Sequence, residues 1–190
     1  MAIHATGRRT NAARSVSKGN VITNNLRTIE DIVLVLFVVA IIYTDWRFHR
    51  IPNALTFPVM AIGLLCGALE AIPGGVFERG LADHVAGLVI GFAVAYPFYA
   101  AGGLKAGDGK YLMAVGSLRG VGLLLYGAVY GALLGGLIAL GFLAVRRMRT
   151  ADASLGTVMK TWIPYGVALG LGTLVALGME LAGRIPGAGA

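Results

Sequence analysis

Apolar residues in this chain come in runs too long for an ordinary soluble helix or strand, separated by short polar or basic joints. Such runs occur from about Ile32 to Thr44, Ala54 to Ile72, His84 to Ala101 and Trp162 to Ala182. A helix needs about 20 apolar residues to cross the hydrocarbon core of a bilayer, so these are candidate transmembrane helices, the first a short one. The stretch from Lys110 to Val145 holds two further spans if the first ends near Ser117 and the chain turns at Arg119-Gly120. The punctuation agrees. Thr28 to Asp31 offer cap residues and an acidic first turn before the first run, and Pro52 precedes the second, where a missing amide proton costs nothing. Pro73-Gly74-Gly75 closes the second run, Val76 to Asp83 reads as a loop, and Gly102-Gly103 ends the third. The expected fold is all-α: a polytopic membrane protein with a bundle of about six transmembrane helices over residues 28–190. Residues 1–27 are expected to form a basic, flexible N-terminal extension, being polar, rich in Asn, Ser, Thr and Ala, and without an apolar signal-peptide core.

Composition strengthens this picture: 57% of residues are hydrophobic and 13% charged, and the mean hydropathy is +0.77. These values lie far from a soluble domain. The net charge of +7 is a topology signal and does not point to nucleic acid, because the basic residues sit in the tail and in short loops. Alternating the loops across the membrane gives one face carrying Arg47, Arg50, Lys105, Lys110, Arg146, Arg147, Arg149 and Lys160. The positive-inside rule makes that face cytoplasmic, with Arg79 and Arg119 among acidic residues on the other. The basic tail opposes this scheme, which places the N-terminus outside.

Several residues carry a structural reading. Cys66 stands alone, so no disulfide framework or cysteine-ligated zinc site is available. His49 and His84 read as loop or helix-end residues, Tyr43, Trp46 and Trp162 as interfacial anchors, and Pro97 as a kink. Glycines four apart, such as Gly63 with Gly67, Gly87 with Gly91, Gly127 with Gly131 and Gly166 with Gly170, read as close helix crossings in lipid.

Two acids are harder to set aside. Asp45 closes the first run in Tyr43-Thr44-Asp45-Trp46-Arg47, and Asp108 lies in Lys105-Ala106-Gly107-Asp108-Gly109-Lys110. Both fall at helix ends on the same face. Brought together, two carboxylates share a proton and form the acid/base pair of an aspartic protease. The segment from Asp45 through Arg47, Arg50, Ile51, Pro52 and Asn53 resembles the Asp-x-Arg-x-x-x-Ile-Pro-Asn segment of type IV prepilin peptidases. Gly107-Asp108-Gly109-Lys110 is similar to the Gly-Asp-x-Lys part of their Gly-x-Gly-Asp-x-Lys motif, and Pro164-Tyr165-Gly166 to the Pro-Tyr-Gly that opens their final helix. The likeness extends from about Ile32 to near the C-terminus. It departs at Lys105, which replaces the motif's first glycine.

The resemblance implies a membrane aspartic endopeptidase of the bacterial inner membrane with its site facing the cytoplasm. Asp45 and Asp108 would be catalytic. Arg47, Arg50, Pro52, Asn53, Lys105, Gly107, Gly109, Lys110, Pro164, Tyr165 and Gly166 would bind substrate or support the motif. Its substrate would be a prepilin or pseudopilin, its setting the lipid bilayer and a pilus or type II secretion-like assembly machinery, and no metal or organic cofactor is required. The larger members' zinc-binding insertion and N-methylation have no counterpart here, which implies the single-domain form of tight-adherence pilus systems. Two alternatives stay open: a catalytically degenerate assembly scaffold, for which Lys105 is the main support, and a small transporter using the two aspartates as ion sites.

Overall fold

The computed structural model describes residues 3–70, 80–149 and 165–185, and contains no strand among them. Five helices follow in order: α1 (Ile3–Phe48), α2 (Asn53–Glu70), α3 (Gly80–Ala100), α4 (Ala106–Arg149) and α5 (Tyr165–Leu181). By length and composition α2, α3 and the Ala106–Gly141 part of α4 can cross a membrane, and α5 is a shorter apolar helix. The chain is a helical membrane protein. Large apolar side chains such as Leu36, Leu65, Val89, Leu133 and Leu137 face outward, as a bilayer solvent permits and water does not.

Among the described residues the helices number five where six were expected, and the difference lies in α4. Its residues are continuously helical except at Gly120, where φ is 73° and ψ is −171°. This left-handed φ is open to glycine at no steric cost, and it reverses the chain. Tyr111 donates a hydrogen bond to Thr173 Oγ1 at 2.8 Å, and a methyl group at Gly127 would lie 3.0 Å from the same oxygen. Residues 111 and 127 would stand about 24 Å apart on a straight helix, so both reach Thr173 only because α4 folds back. The turn expected at Arg119-Gly120 is thus a break within one helical element, with a first arm over 106–119 and a second over 121–149.

Helix α1 begins at Ile3, within the segment expected as a basic extension, and continues into the first apolar run. Thr28 is no cap: its hydroxyl donates back to the Asn24 carbonyl at 2.9 Å, the habit of a threonine inside a helix. The backbone hydrogen-bond ladder therefore continues through the point where a start was expected. The end of α3 is as expected, with Gly102 at φ 76° and the Gly103 amide returning to the Phe98 carbonyl at 2.8 Å. Pro73-Gly74-Gly75, Arg79, Lys160 and Trp162 lie outside the described residues.

Glycine sets how closely the helices approach. A Cβ on Gly87 would collide with the Gly116 backbone, and one on Gly63 with the Ser117 backbone, so α2 and α3 pack against the bare first arm of α4. Around these crossings Leu34, Phe37, Val38 and Ile41 of α1 meet Tyr111, Val115 and Leu118 of that arm and Leu169 and Leu177 of α5. Phe37 stacks on Tyr111 with ring centroids 5.5 Å apart. The first arm of α4 is the axis of the bundle, and Asp108 stands at its beginning.

Candidate active site

Asp45 lies in the last turns of α1. The helix stops because His49 turns into the left-handed region, φ 57°, a conformation histidine enters more readily than most side chains. The His49 amide donates to the Asp45 carbonyl at 3.0 Å, and its ring Nδ1 lies 3.1 Å from the same oxygen. These contacts fix the Asp45 backbone and leave its side chain uncommitted. That side chain is 4% exposed, and its Oδ2 is buried without a hydrogen-bond partner. A buried polar atom left unsatisfied costs about 1–3 kcal/mol, more if charged.

Helix α5 closes over this carboxylate through Gly166. A methyl group there would lie 2.8 Å from Asp45 Oδ2 and 2.9 Å from Cγ, so a side chain larger than hydrogen would displace the aspartate. One turn on, Gly170 faces Ile42 and Val38 of α1 in the same close manner. Tyr165 and Gly166 are therefore brought to the site, whereas Pro164 lies outside the described residues.

Asp108 is also buried and sits three residues after Lys105 at the start of α4. Its Oδ2 accepts the Lys105 backbone N–H at 2.9 Å. This is the reciprocal half of a capping box, in which an acidic side chain in the first turn satisfies an amide at the cap. The bond uses only the main chain of Lys105, whose side chain points to solvent. No positive φ is required there, since His49 alone among described non-glycine residues has one. The replacement of glycine at this position thus leaves the local geometry intact.

The remaining motif residues lock these pieces together. Gly107 lets α4 start against Ile51, whose Cβ would be 3.1 Å from an added methyl, and Gly109 faces Ala95 of α3. Lys110 Nζ donates to Asn53 Oδ1 at 2.8 Å and lies 5.4 Å from the centre of the Phe57 ring. The Pro52 carbonyl accepts the Leu55 and Thr56 amides and opens α2. Arg47 and Arg50 stay exposed, the Arg47 guanidinium lying over the Phe48 ring and away from the carboxylates. The two aspartates sit at the same end of the bundle, within electrostatic range of each other. An apolar cavity of about 310 Å³ is lined by Leu104 and Leu112, each four residues from Asp108, and by Tyr165, which precedes the Gly166 that abuts Asp45, with Val94, Phe98 and Ala132 beyond; neither aspartate lines it.

The model of the type IV leader peptidase family matches residues 32–140, more than half of the chain. The chain belongs to that family. The matched stretch contains Asp45, Asp108 and the Lys110–Asn53 tie, and ends before Gly166. No curated protein and no solved structure matches the chain. Membership makes this family member a membrane-embedded protease, a hydrolase of peptide bonds.

Sequence reasoning missed a second group of charges at the opposite end of the bundle. His84, expected as an undistinguished helix-end residue, is buried, with ring Nδ1 2.7 Å from the Ser117 carbonyl and Nε2 3.8 Å from both Glu30 and Glu70. Arg119, expected in a turn, is buried among Glu30, Asp31 and Glu180. An ionisable residue inside an apolar helix is itself a signal of a partner, and Glu180 within the last run carried it.

Proposed function

We propose that this protein is a prepilin leader peptidase in which Asp45 and Asp108 form the catalytic dyad. The observation that supports the reading is that two buried carboxylates lie at one end of the bundle within electrostatic range of each other, one of them with an oxygen that no described residue hydrogen-bonds. Such an oxygen is costly to the fold and useful to a reaction that needs a free base. Two neighbouring buried carboxylates cannot both ionise cheaply, so the pair holds one proton. The ionised carboxylate takes a proton from water, whose oxygen attacks the scissile carbonyl carbon. The protonated partner donates its hydrogen to the carbonyl oxygen. Collapse of the tetrahedral intermediate breaks the C–N bond, and a carboxyl proton passes to the leaving nitrogen. The pair titrates as a unit, so neither role is fixed to one residue.

The substrate is a prepilin or pseudopilin whose short basic leader is cut next to an apolar helix, and the apolar cavity beside the site suits the side chains that follow the cut. Positive-inside charge favours a cytoplasmic site in the bacterial inner membrane. The protein works beside a pilus or type II secretion-like assembly machinery, and by the resemblance lacks methyltransferase activity. The scaffold alternative rested on Lys105, whose backbone makes the capping bond to Asp108 without any conformation that would require glycine, which supports the peptidase reading. A transporter would place its acids near the middle of broken helices, whereas Asp45 and Asp108 lie at helix ends.

The test is co-expression with a prepilin from the same genome, following leader loss by gel shift and mass, beside Asp45→Asn and Asp108→Asn. Cleavage after the leader's final glycine, absent in both variants, is the expected result. An intact prepilin beside folded wild-type protein would count against the proposal.

A further inference from the structure

We propose that Arg119 is a positioning residue for the dyad: by gripping α1 and α5 at one end of the bundle, it sets the separation of Asp45 and Asp108 at the other. Its guanidinium is 3% exposed and lies 3.5 Å from Glu30 Oε2, 3.3 Å from Asp31 Oδ1 and 2.6 Å from Glu180 Oε1. Glu30 and Asp31 belong to α1, which carries Asp45. Glu180 belongs to α5, which carries the Gly166 that abuts Asp45. Arg119 itself ends the arm that begins with Asp108. One side chain therefore touches each of the three helices that build the site.

The rest of the cluster fixes that point to the frame. His84 of α3 stands between Glu30 and Glu70 of α2 and bonds the Ser117 carbonyl, two residues before Arg119. Asp83 accepts the Val121 amide at 3.3 Å and closes around Gly120, where an added Cβ would collide with its carboxylate. The reversal of α4 is held from both sides.

Elsewhere α1 meets the first arm of α4 through apolar packing, chiefly Phe37 on Tyr111. Stacked rings tolerate sliding along the helix axis more than a planar guanidinium that hydrogen-bonds Glu180 at 2.6 Å and Glu30 at 3.5 Å and lies within ion-pair distance of Asp31. Between Glu30 and Asp45 the helix has no glycine or proline, so it acts as a rod of about 22 Å; the arm from Asp108 to Arg119, about 16 Å long, carries Gly109 and Gly116, which are packed against Ala95 and Gly87 of α3. An axial slip at the cluster arrives at the dyad undiminished. A displacement of about 1 Å in a reacting group is enough to reduce a rate by about 10²-fold.

This role rests on the peptidase reading, but its first readout does not. Spin labels at Trp46→Cys and Ala106→Cys, both exposed, on a Cys66→Ala background, report the distance between the two ends of the site in the full chain. Arg119→Lys keeps the charge and loses the fork. It is expected to shift or broaden the label distance by at least 2 Å and to lower kcat for a prepilin about tenfold or more with KM little changed. Asp31→Asn, which removes one half-exposed arm, gives a smaller shift in the same direction and serves if Arg119→Lys does not fold. Folded variants with reduced thermal stability and an unchanged label distance would overturn the proposal, leaving the cluster a clamp without influence on the site. A shifted distance in a protein whose wild type cleaves no prepilin would uphold the positioning and refute the peptidase reading.

Discussion

The two ends of this bundle treat buried charge in opposite ways. At one, Arg119 is shared by Glu30, Asp31 and Glu180, and His84 lies between Glu30 and Glu70. At the other, Asp45 and Asp108 are buried; Asp108 accepts one backbone amide, and among the described residues Asp45 Oδ2 has neither a hydrogen bond nor an ion pair, whereas Glu30 Oε1, Asp31 Oδ1 and Arg119 Nε, which also lack hydrogen bonds, lie within ion-pair distance of an opposite charge. Each end lies at the boundary of apolar helices, so burial alone does not distinguish them. Pairing does. Charges that answer one another fasten helices, and a carboxylate held against them unanswered is available to a substrate and water.

The largest effect expected from breaking this contrast is on chemistry. Asp45→Asn or Asp108→Asn removes one member of the proposed acid/base pair and should lower cleavage by at least about 10²–10⁴-fold, read as prepilin processed per unit of folded protein. Next comes the far end: Arg119→Ala leaves several carboxylates buried around an absent cation. Removing one partner of a buried pair costs about 3–5 kcal/mol, so the variant should lose most of its folded yield, measured by detergent-solubilised size exclusion and thermal unfolding. Gly166→Ala tests the join between the helices at the active end. Its methyl would sit 2.8 Å from Asp45 Oδ2, and the displaced carboxylate should reduce cleavage by about 10²-fold with helix content retained in circular dichroism. Asn53→Ala removes the partner of Lys110 in an exposed position and should reduce cleavage only a few-fold, by roughly the net worth of one hydrogen bond. Smallest is Lys105→Ala, which keeps the backbone N–H that Asp108 accepts and should leave cleavage within about twofold. Lys105→Pro, which deletes that donor, should not be tolerated.

Much of the geometry around Asp45 and Asp108 was legible in the sequence because it is local. Asp108 lies three residues from the amide it caps, His49 four from the carbonyl it contacts, and Pro52 opens its own helix. The turn at Gly120 was legible for the same reason, since a hydrophobic stretch too long for one span must bend where glycine allows. What could not be read was long-range. The Arg119 contacts reach 89 residues back to Glu30 and 61 forward to Glu180, and no local pattern ties such positions together. Loop counting set Arg119 apart as a topology charge, and the acids of α1 passed for a helix cap because helix starts favour them. The helical run before Thr28 was hidden by composition: Asn, Ser and Thr favour caps and turns in isolation, and a polar segment ahead of an apolar helix reads as a tail.

The most direct test of the contrast is thermal unfolding of purified Asp45→Asn and Arg119→Ala beside the wild type, with cleavage measured on the same samples. An asparagine at position 45 should leave the unfolding temperature unchanged or raise it while abolishing cleavage, because a buried unpartnered carboxylate has been removed; Arg119→Ala should lower it sharply. If Asp45→Asn instead destabilised the protein as much as Arg119→Ala, Asp45 would be a structural group, and the division of the bundle into a fastened end and a reactive end would be wrong.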